Sequence, residues 1–216
     1  VLRKGSRRGL NGRLVSKFRF MVMMEHRQRF AETMIAEMRG INDEKGQSPC
    51  WQWLEEHFFS MDFPTADYLT GIGQKQFIAE LMPKYPIYVS LLSKQAQAVI
   101  GQVHDKTRPA LQLLEKEGFS CRGYVDIFDA GPTVEANLKH IRSAQASVKK
   151  QIKVTSKIDD DQPTFFVINT KVHDFRGVCT TLVIDTEHAT IGQQAADALG
   201  VSDGDNIRFA PTHFRT

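Results

Sequence analysis

The chain has 216 residues, of which 41% are hydrophobic and 25% are charged, and its formal net charge is +3. This composition is typical of a globular protein with one large or two small domains. No apolar run approaches the roughly 20 residues that cross a bilayer, and no signal-peptide pattern follows the basic amino terminus, so we predict a cytoplasmic protein that does not bind a membrane.

The three cysteines, Cys50, Cys121 and Cys179, are odd in number and far apart in the sequence. This spacing favours neither a disulfide framework nor a cysteine metal site, and we predict no metal ion. The small net charge does not by itself indicate a nucleic-acid-binding protein.

Positive charge is concentrated in the first nineteen residues, which contain seven Lys and Arg residues and no acid. Residues 3–12, RKGSRRGLNG, have the glycine content of a loop, and apolar residues at helical spacing after Arg13 predict a helix over about 13–26. A loop with free amides before a helix N-terminus is a common phosphate-binding arrangement. A basic tail before an ordinary surface helix explains these residues equally well. The chain lacks an initiator Met and opens in this loop, which indicates a fragment.

Residues 33–41, TMIAEMRGI, predict a buried strand that contains Glu37. A carboxylate inside a buried strand needs a partner or a function. An ion pair with Arg39 is the simpler explanation, and contact with a substrate is the alternative.

The middle of the chain predicts several short helices and one strand. Ser48-Pro49 and Ser93 are favourable starts of helices because a serine side chain caps the first free amides and proline fits the first turn. The predicted elements are a helix from Ser48-Pro49 to about residue 59, helices over 66–73, 74–82 and 94–101, and a strand over 86–92.

His104 lies in a short polar loop between two predicted helices. The second helix is expected to begin at Thr107-Arg108-Pro109 and to end at Gly118, and a strand over 123–128 then leads into a turn at Asp129. Taken alone, His104 is more typical of a capping or solvated loop histidine than of a catalytic one.

The residues from about 142 onward are rich in strands. VKKQIKV, TFFVINTKV and GVCTTLVID predict strands, ATIGQQAADALG predicts one helix, and NIRFAP predicts a last strand. We therefore predict two domains, residues 1–145 and residues 146–216, of which the second is a small antiparallel sheet with one helix.

Two features together resemble the GNAT acyltransferase fold. A basic glycine-containing loop opens a helix, and a later helix has Ala110, Leu114, Gly118 and Phe119 in an A-x-x-x-L-x-x-x-G-F pattern. The fold class that this resemblance implies is α/β (α+β), a mixed sheet flanked by helices with a carboxy-terminal antiparallel subdomain. The loop departs from the R-x-x-G-x-G pattern of that fold, because Leu10 occupies the position of its first glycine.

Longer segments resemble the arginine N-succinyltransferase family, whose members transfer succinyl from succinyl-CoA to the α-amino group of L-arginine in bacterial arginine catabolism. The resemblance implies that the first strands of the fold precede Val1 and that this chain alone has only part of the acyl-CoA cleft. The segments are AEMRG at 36–40, SPCWQWLEEHFFSMDFPTADYLTG at 48–71, FIAELMPKYPIYVSLLS at 77–93, AVIGQVH at 98–104 and EGFSCRGYVDIFDAGPT at 117–133.

The resemblance assigns a proton donor to His104. Many GNAT enzymes use a tyrosine of the late helix to protonate the CoA thiolate, but this chain has Leu114 there and needs another acid. Imidazole can give and take a proton near neutral pH. The expected cofactor-binding residues are Arg7, Arg8, Gly9, Asn11, Gly12 and Arg13, and the carboxylates expected to bind the substrate guanidinium are Glu37, Asp126 and Asp129.

The expected ligands are L-arginine and succinyl-CoA, the latter as a cosubstrate and not as a permanently bound cofactor. The protein is expected to form a homo- or hetero-oligomer and not to bind nucleic acid. One alternative is an enzyme of the same fold that acts on ornithine or another amine. An alternative of another class is a non-catalytic module that binds nucleic acid through its basic first nineteen residues.

Overall fold

A computed structural model describes residues 3–6, 9–58, 61–159 and 161–213 of the chain. Contacts divide the chain into two compact units, Val1–Met34 with Ala136–Thr216 and Ile35–Glu135. Within the described ranges, no helix is long and apolar enough to cross a membrane.

Eight α-helices and nine strands are found in the described part of the chain, with short 3₁₀ helices at Lys4–Ser6, Arg27–Arg29, Val89–Leu91 and Leu138–His140. In chain order they are α1 (Asn11–Glu25), β1 (Thr33–Glu37), α2 (Pro49–Phe58), α3 (Phe63–Gly71), α4 (Gln76–Leu81), α5 (Lys94–Val99), α6 (Arg108–Glu117), β2 (Ser120–Val125), β3 (Pro132–Asn137), α7 (Arg142–Gln145), β4 (Val148–Thr155), β5 (Thr164–Asn169), β6 (Gly177–Thr181), β7 (Val183–Ile184), β8 (His188–Gly192), α8 (Gln193–Leu199) and β9 (Asn206–Pro211).

The first unit contains a six-stranded sheet of order β6-β5-β9-β4-β8-β7. Four neighbouring pairs are antiparallel, but β4 and β8 run parallel, so the sheet is mixed where an antiparallel one was predicted. The predicted helix over ATIGQQAADALG was wrong in its first part, since 188–192 form β8. Ala189 and Ile191 alternate with more exposed neighbours along β8 and are fully buried in the core, which favours a strand there.

Strand β5, next to the edge strand β6, is buried on both faces because a helix covers each of them. Phe166 packs against Phe18 of α1 with ring centroids 6.3 Å apart, whereas Val167 belongs to a second apolar cluster that includes Leu199 of α8. Gly177 on the neighbouring strand has no room for a side chain, since an added Cβ would overlap the Phe18 ring. The core of this unit is therefore a sheet between two helices.

Glu25, the last residue of α1, fixes the helix to the sheet through two cations. Its carboxylate accepts from Lys149 Nζ at 2.6 Å and from Arg208 Nε at 2.9 Å, and the Glu25 side chain is 8% exposed. Arg208 also donates to Ser147 Oγ at 2.9 Å. Burial raises the pKa of Glu25, but the hydrogen bonds and charges of Lys149 and Arg208 outweigh burial and leave the pKa below its ordinary value.

The second unit is built on an aromatic cluster around Trp51 of α2. The Trp51 indole N–H donates to the Met61 carbonyl at 3.0 Å, and the Trp51 ring lies 5.1 Å from that of Phe128. This contact ties the turn over 126–131 to α2. The three-stranded sheet β1-β3-β2 borders the same turn, because β2 ends just before it and β3 begins just after it.

Two strand predictions in this unit were wrong. Residues 86–92 form no strand, because Tyr88, Val89 and Leu91 are exposed and Val89–Leu91 make a 3₁₀ turn. The strand predicted over 33–41 ends at Glu37 and alternates between exposed and half-buried residues, so it is not a buried strand.

Candidate active site

His104 lies in the loop between α5 and α6, and backbone hydrogen bonds hold the residue at both ends. Its N–H donates to the Arg39 carbonyl at 2.9 Å, just after β1. Its carbonyl accepts from Thr107 N–H at 2.8 Å and Arg108 N–H at 3.1 Å, where α6 begins. The position of the His104 backbone is therefore set by α6 on one side and by the segment after β1 on the other.

The imidazole ring of His104 is half-buried, and one nitrogen has a backbone partner. Nδ1 accepts the Lys106 N–H at 3.1 Å. A ring nitrogen that accepts a hydrogen bond carries no proton, so the neutral imidazole holds its proton on Nε2. The ring can therefore offer an N–H donor at Nε2 while Nδ1 stays bound to the backbone.

Asp129 is buried, at 8% exposure, and each of its carboxylate oxygens accepts a backbone N–H. Oδ2 accepts from Gly40 at 2.7 Å and Oδ1 from Gly131 at 2.8 Å. The Asp129 carboxylate thus joins the segment after β1 to the turn before β3. Burial raises the pKa of the nearby Cys50 thiol, and the charge of Asp129 raises it further.

Asp126 opens the same turn and is half-buried. Its Oδ1 accepts from Phe128 N–H at 2.8 Å and Asp129 N–H at 3.3 Å, while Oδ2 forms no hydrogen bond within the described residues. Burial raises the pKa of Asp126, the two backbone hydrogen bonds offset part of the rise, and the carboxylates of Asp129 and Asp67 add to it. A bound cation would relieve this crowding of negative charge.

Glu37 is exposed at the end of β1, in the same unit as His104, Asp126 and Asp129. The expected ion pair with Arg39 does not form among the residues that the structure describes; Arg39 instead contributes its carbonyl to His104. The Glu37 carboxylate is therefore open to solvent.

The expected cofactor-binding residues belong to the other unit. Arg7 and Arg8 lie outside the described residues, Gly9 has a φ of +56°, and Asn11, Gly12 and Arg13 form the first turn of α1. Leu10, the residue before the helix, provides no side-chain cap, so no side chain of the N-cap covers the first amides of α1. Helix α1 begins two residues before the predicted start.

Sequence reasoning missed Gly40, Gly131 and the Arg39 carbonyl, which connect the predicted site residues. An added Cβ at Gly40 would lie 2.7 Å from Asp129 Oδ1, and one at Gly131 would overlap the Met38 carbonyl. The signal in the sequence is a pair of glycines, one after β1 and one after Asp129, but a single sequence does not show that they meet.

Two family models match the chain. The model described as "Arginine N-succinyltransferase beta subunit" matches residues 1–143, and the model of its C-terminal domain matches residues 148–211.

Curated relatives described as arginine N-succinyltransferases also align along most of the chain. An arginine N-succinyltransferase of Yersinia pseudotuberculosis serotype O:3 (strain YPIII) is 45% identical over 215 residues, which is 95% of this chain and 61% of the relative. One from Citrobacter koseri is 47% identical over 199 residues, or 92% of this chain and 58% of the relative. The chain thus spans about three fifths of the length of these relatives.

A solved structure is also similar, that of arginine/ornithine succinyltransferase subunit AI from Pseudomonas aeruginosa. It superposes with a TM-score of 0.83 and is 32% identical, covering 99% of this chain and 61% of that chain. This match confirms the predicted mixed α/β fold class.

Proposed function

We propose, from the premise that this chain belongs to the arginine N-succinyltransferase beta-subunit family, that it transfers succinyl from succinyl-CoA to the α-amino group of L-arginine. The family predicted from the sequence is confirmed, and the mixed α/β fold agrees with it. Because the chain spans 61% of its relatives' length, the activity is proposed for these residues together with any that their natural protein adds.

The observation that carries the proposal is the state of the His104 ring. The Lys106 N–H at Nδ1 leaves the proton of the neutral ring on Nε2, where it can be donated. Leu114, in contrast, is buried and has no proton to give, so the late helix α6 is structural. His104 is the proposed catalytic residue.

The proposed reaction is direct acyl transfer in a ternary complex. The arginine α-amine attacks the thioester carbonyl, a C–N bond forms, and the C–S bond breaks. The Nε2–H of His104 donates a hydrogen bond to the departing sulfur and stabilises its negative charge. The surplus proton on the substituted nitrogen passes to that sulfur, so CoA leaves as the thiol and no net proton is consumed. A neutral imidazole that donates a hydrogen bond to developing negative charge is an established form of electrophilic catalysis.

Succinyl-CoA is proposed to bind at the N-terminus of α1. The positive end of the helix dipole at the start of α1 favours a phosphate group, and the exposed Arg13 adds positive charge. Gly9, with its positive φ, and Asn11 and Gly12 form the loop-to-helix junction there, and Arg7 and Arg8 precede it in the sequence.

The substrate guanidinium is proposed to bind carboxylates of the second unit. Asp126 is supported by its Oδ2, which forms no hydrogen bond among the residues that the structure describes, and by the negative charge around it. Glu37 is supported by its exposure. Asp129 contributes negative charge, although both of its oxygens already accept backbone hydrogen bonds. Charge-assisted hydrogen bonds between a guanidinium and carboxylates are strong and directional.

Asp126→Asn is expected to raise KM for L-arginine at least about tenfold, with a smaller effect on kcat, because a lost charge-assisted hydrogen bond is worth about 1.5–3 kcal/mol. Since the pKa of Asp126 is raised, arginine affinity should begin to fall at a higher pH on acidification than an ordinary carboxyl would allow. Steady-state kinetics of CoA thiol release against pH measure both.

Asp43→Asn is the matched control for this substitution. Asp43 also accepts two backbone amides, from Lys45 at 2.9 Å and Gln47 at 2.8 Å, but it lies outside the proposed site. An arginine KM that is the same in wild type, Asp126→Asn and Asp43→Asn would remove Asp126 from the guanidinium site.

Ornithine is the second candidate acceptor, because the similar protein from Pseudomonas aeruginosa is named an arginine/ornithine succinyltransferase. The formation of a homo- or hetero-oligomer stays a prediction. The division into domains of residues 1–145 and 146–216 also stays a prediction.

A further inference from the structure

Asp129 ties together the two backbone segments that hold the His104 loop. Its Oδ2 accepts the Gly40 N–H at 2.7 Å and its Oδ1 accepts the Gly131 N–H at 2.8 Å. Oδ2 therefore holds the segment after β1 and Oδ1 holds the turn, next to a backbone hydrogen bond from the Met38 N–H to the Pro132 carbonyl at 3.0 Å. We call residues 38–40 and 126–131, joined by this carboxylate, the Asp129 clamp.

Each half of the Asp129 clamp holds one residue of the His104 loop, which is residues 100–107 between α5 and α6. The Ala130 carbonyl accepts the Gly101 N–H at 2.8 Å, and the Arg39 carbonyl accepts the His104 N–H at 2.9 Å. Ala130 lies between Asp129 and Gly131, and Arg39 directly precedes Gly40, so both are next to a residue that donates to the Asp129 carboxylate. A shift of either segment would therefore be transmitted to the loop by one backbone hydrogen bond.

The Asp129 clamp is closely packed. An added Cβ at Gly40 would lie 2.7 Å from Asp129 Oδ1, and one at Gly131 would lie 2.5 Å from the Gly40 nitrogen. Ala130 adopts a φ of +55°, which a non-glycine residue rarely accepts without support from its surroundings. The clamp thus has little freedom to adjust if one of its hydrogen bonds is lost.

We infer that Asp129 is a positioning residue, whose carboxylate fixes the His104 backbone so that Nε2 meets the departing sulfur. This inference rests on the proposed function, in which His104 is the proton donor. It differs from a guanidinium-binding role, because a carboxylate that is 8% exposed and accepts a backbone N–H at each oxygen is poorly placed to receive a substrate as well.

The kinetic test compares Asp129→Asn and Asp129→Glu with Asp43→Asn. Asparagine turns one acceptor into a donor that faces a backbone N–H, whereas glutamate keeps the charge but moves both oxygens. We expect both Asp129 variants to lower kcat about 100-fold at a nearly unchanged arginine KM, since misplacing a catalytic group by about 1 Å has an effect of this size. Asp43→Asn should leave both constants unchanged.

A second measurement does not depend on turnover. Amide hydrogen exchange at Gly101 and His104 reports directly on the two bonds that the Asp129 clamp provides. We expect slow exchange in the wild type and at least about tenfold faster exchange in the Asp129 variants, which corresponds to a loss of about 1.4 kcal/mol in local protection. The unfolding midpoint of each variant is measured first, so that only folded protein is compared.

Several results would overturn the inference. Fast exchange at the Gly101 and His104 amides of the wild type would overturn it. Unchanged exchange at these amides in a folded Asp129 variant would also overturn it. A raised arginine KM at unchanged kcat would instead assign Asp129 to the guanidinium. Full kcat in Asp129→Glu would show that the position of the carboxylate oxygens is not needed for turnover. A wild-type protein without transferase activity would contradict the proposed function alone, and the exchange rates would still decide the role of the clamp.

Discussion

His104→Ala is expected to lower kcat for CoA release about 10²–10⁴-fold, the usual contribution of a positioned acid or base. The physical reason is that the departing thiolate loses the only proposed donor. Leu114 occupies the position on α6 where many GNAT enzymes have a tyrosine, and leucine cannot replace that donor. KM for succinyl-CoA should change little, because the proposed CoA site is at α1. Thiol release in saturating succinyl-CoA and arginine measures the effect.

His57→Ala is the matched control for the histidine substitution. His57 is an exposed histidine of α2, in the same unit, and its Nδ1 lies 2.7 Å from the Trp53 carbonyl. We expect full activity in this variant. Turnover in His104→Ala equal to that of the wild type would remove His104 from the mechanism.

Glu25→Gln is expected to reduce the free energy of unfolding by about 3 kcal/mol, because removing one partner leaves buried positive charge uncompensated. Arg208, whose side chain is 13% exposed, loses its counter-ion, and Lys149 loses its 2.6 Å contact. Urea unfolding measures the change. The control is Glu32→Gln, which breaks an exposed pair with Arg27 and should cost less than about 1 kcal/mol.

The contribution of Glu25 should also depend on pH in a defined direction. Its folded-state pKa is lowered, so the stability it provides is fully present above its ordinary pKa of 4.5 and is lost as pH falls through the folded-state value. The stability difference between wild type and Glu25→Gln should therefore shrink in acid. A difference that stays constant from neutral pH to about pH 3 would show that the Glu25 charge is not responsible.

Local features of the sequence predicted the ends of several helices. Ser93 Oγ accepts the Ala96 N–H at 3.1 Å at the start of α5, and Gly118 ends α6 with a φ of +101°. Each of these caps depends on residues at most four apart. A single sequence contains all the information that they need.

Features that depend on distant residues were harder to predict. Residues 86–92 have a strand-like composition, but no strand of the described chain pairs with them. Strand β8 was hidden in a helical pattern, because its pairing with β4 joins residues 37 positions apart, such as Gln151 and His188. Strand propensity reports side-chain fit and does not identify the partner.

The candidate site shows the same division. Taken alone, the sequence favours an ordinary loop histidine at His104. Only the family resemblance indicated a catalytic role for it. The fixing of its backbone by Arg39, 65 positions earlier, and the link from Gly40 to Asp129, 89 positions later, could not be read from spacing. Long-range backbone contacts of this kind leave only a glycine as their trace in the sequence.

The most direct test supplies succinyl-CoA with equal amounts of L-arginine and L-ornithine and identifies the products by mass. The protein used is this chain with any residues that its natural protein places before Val1. We predict release of one CoA thiol for each succinylated amino acid, with succinylarginine the main product. Succinylornithine in excess would favour the second acceptor, and folded protein that releases no thiol and succinylates neither amino acid would contradict the proposed function.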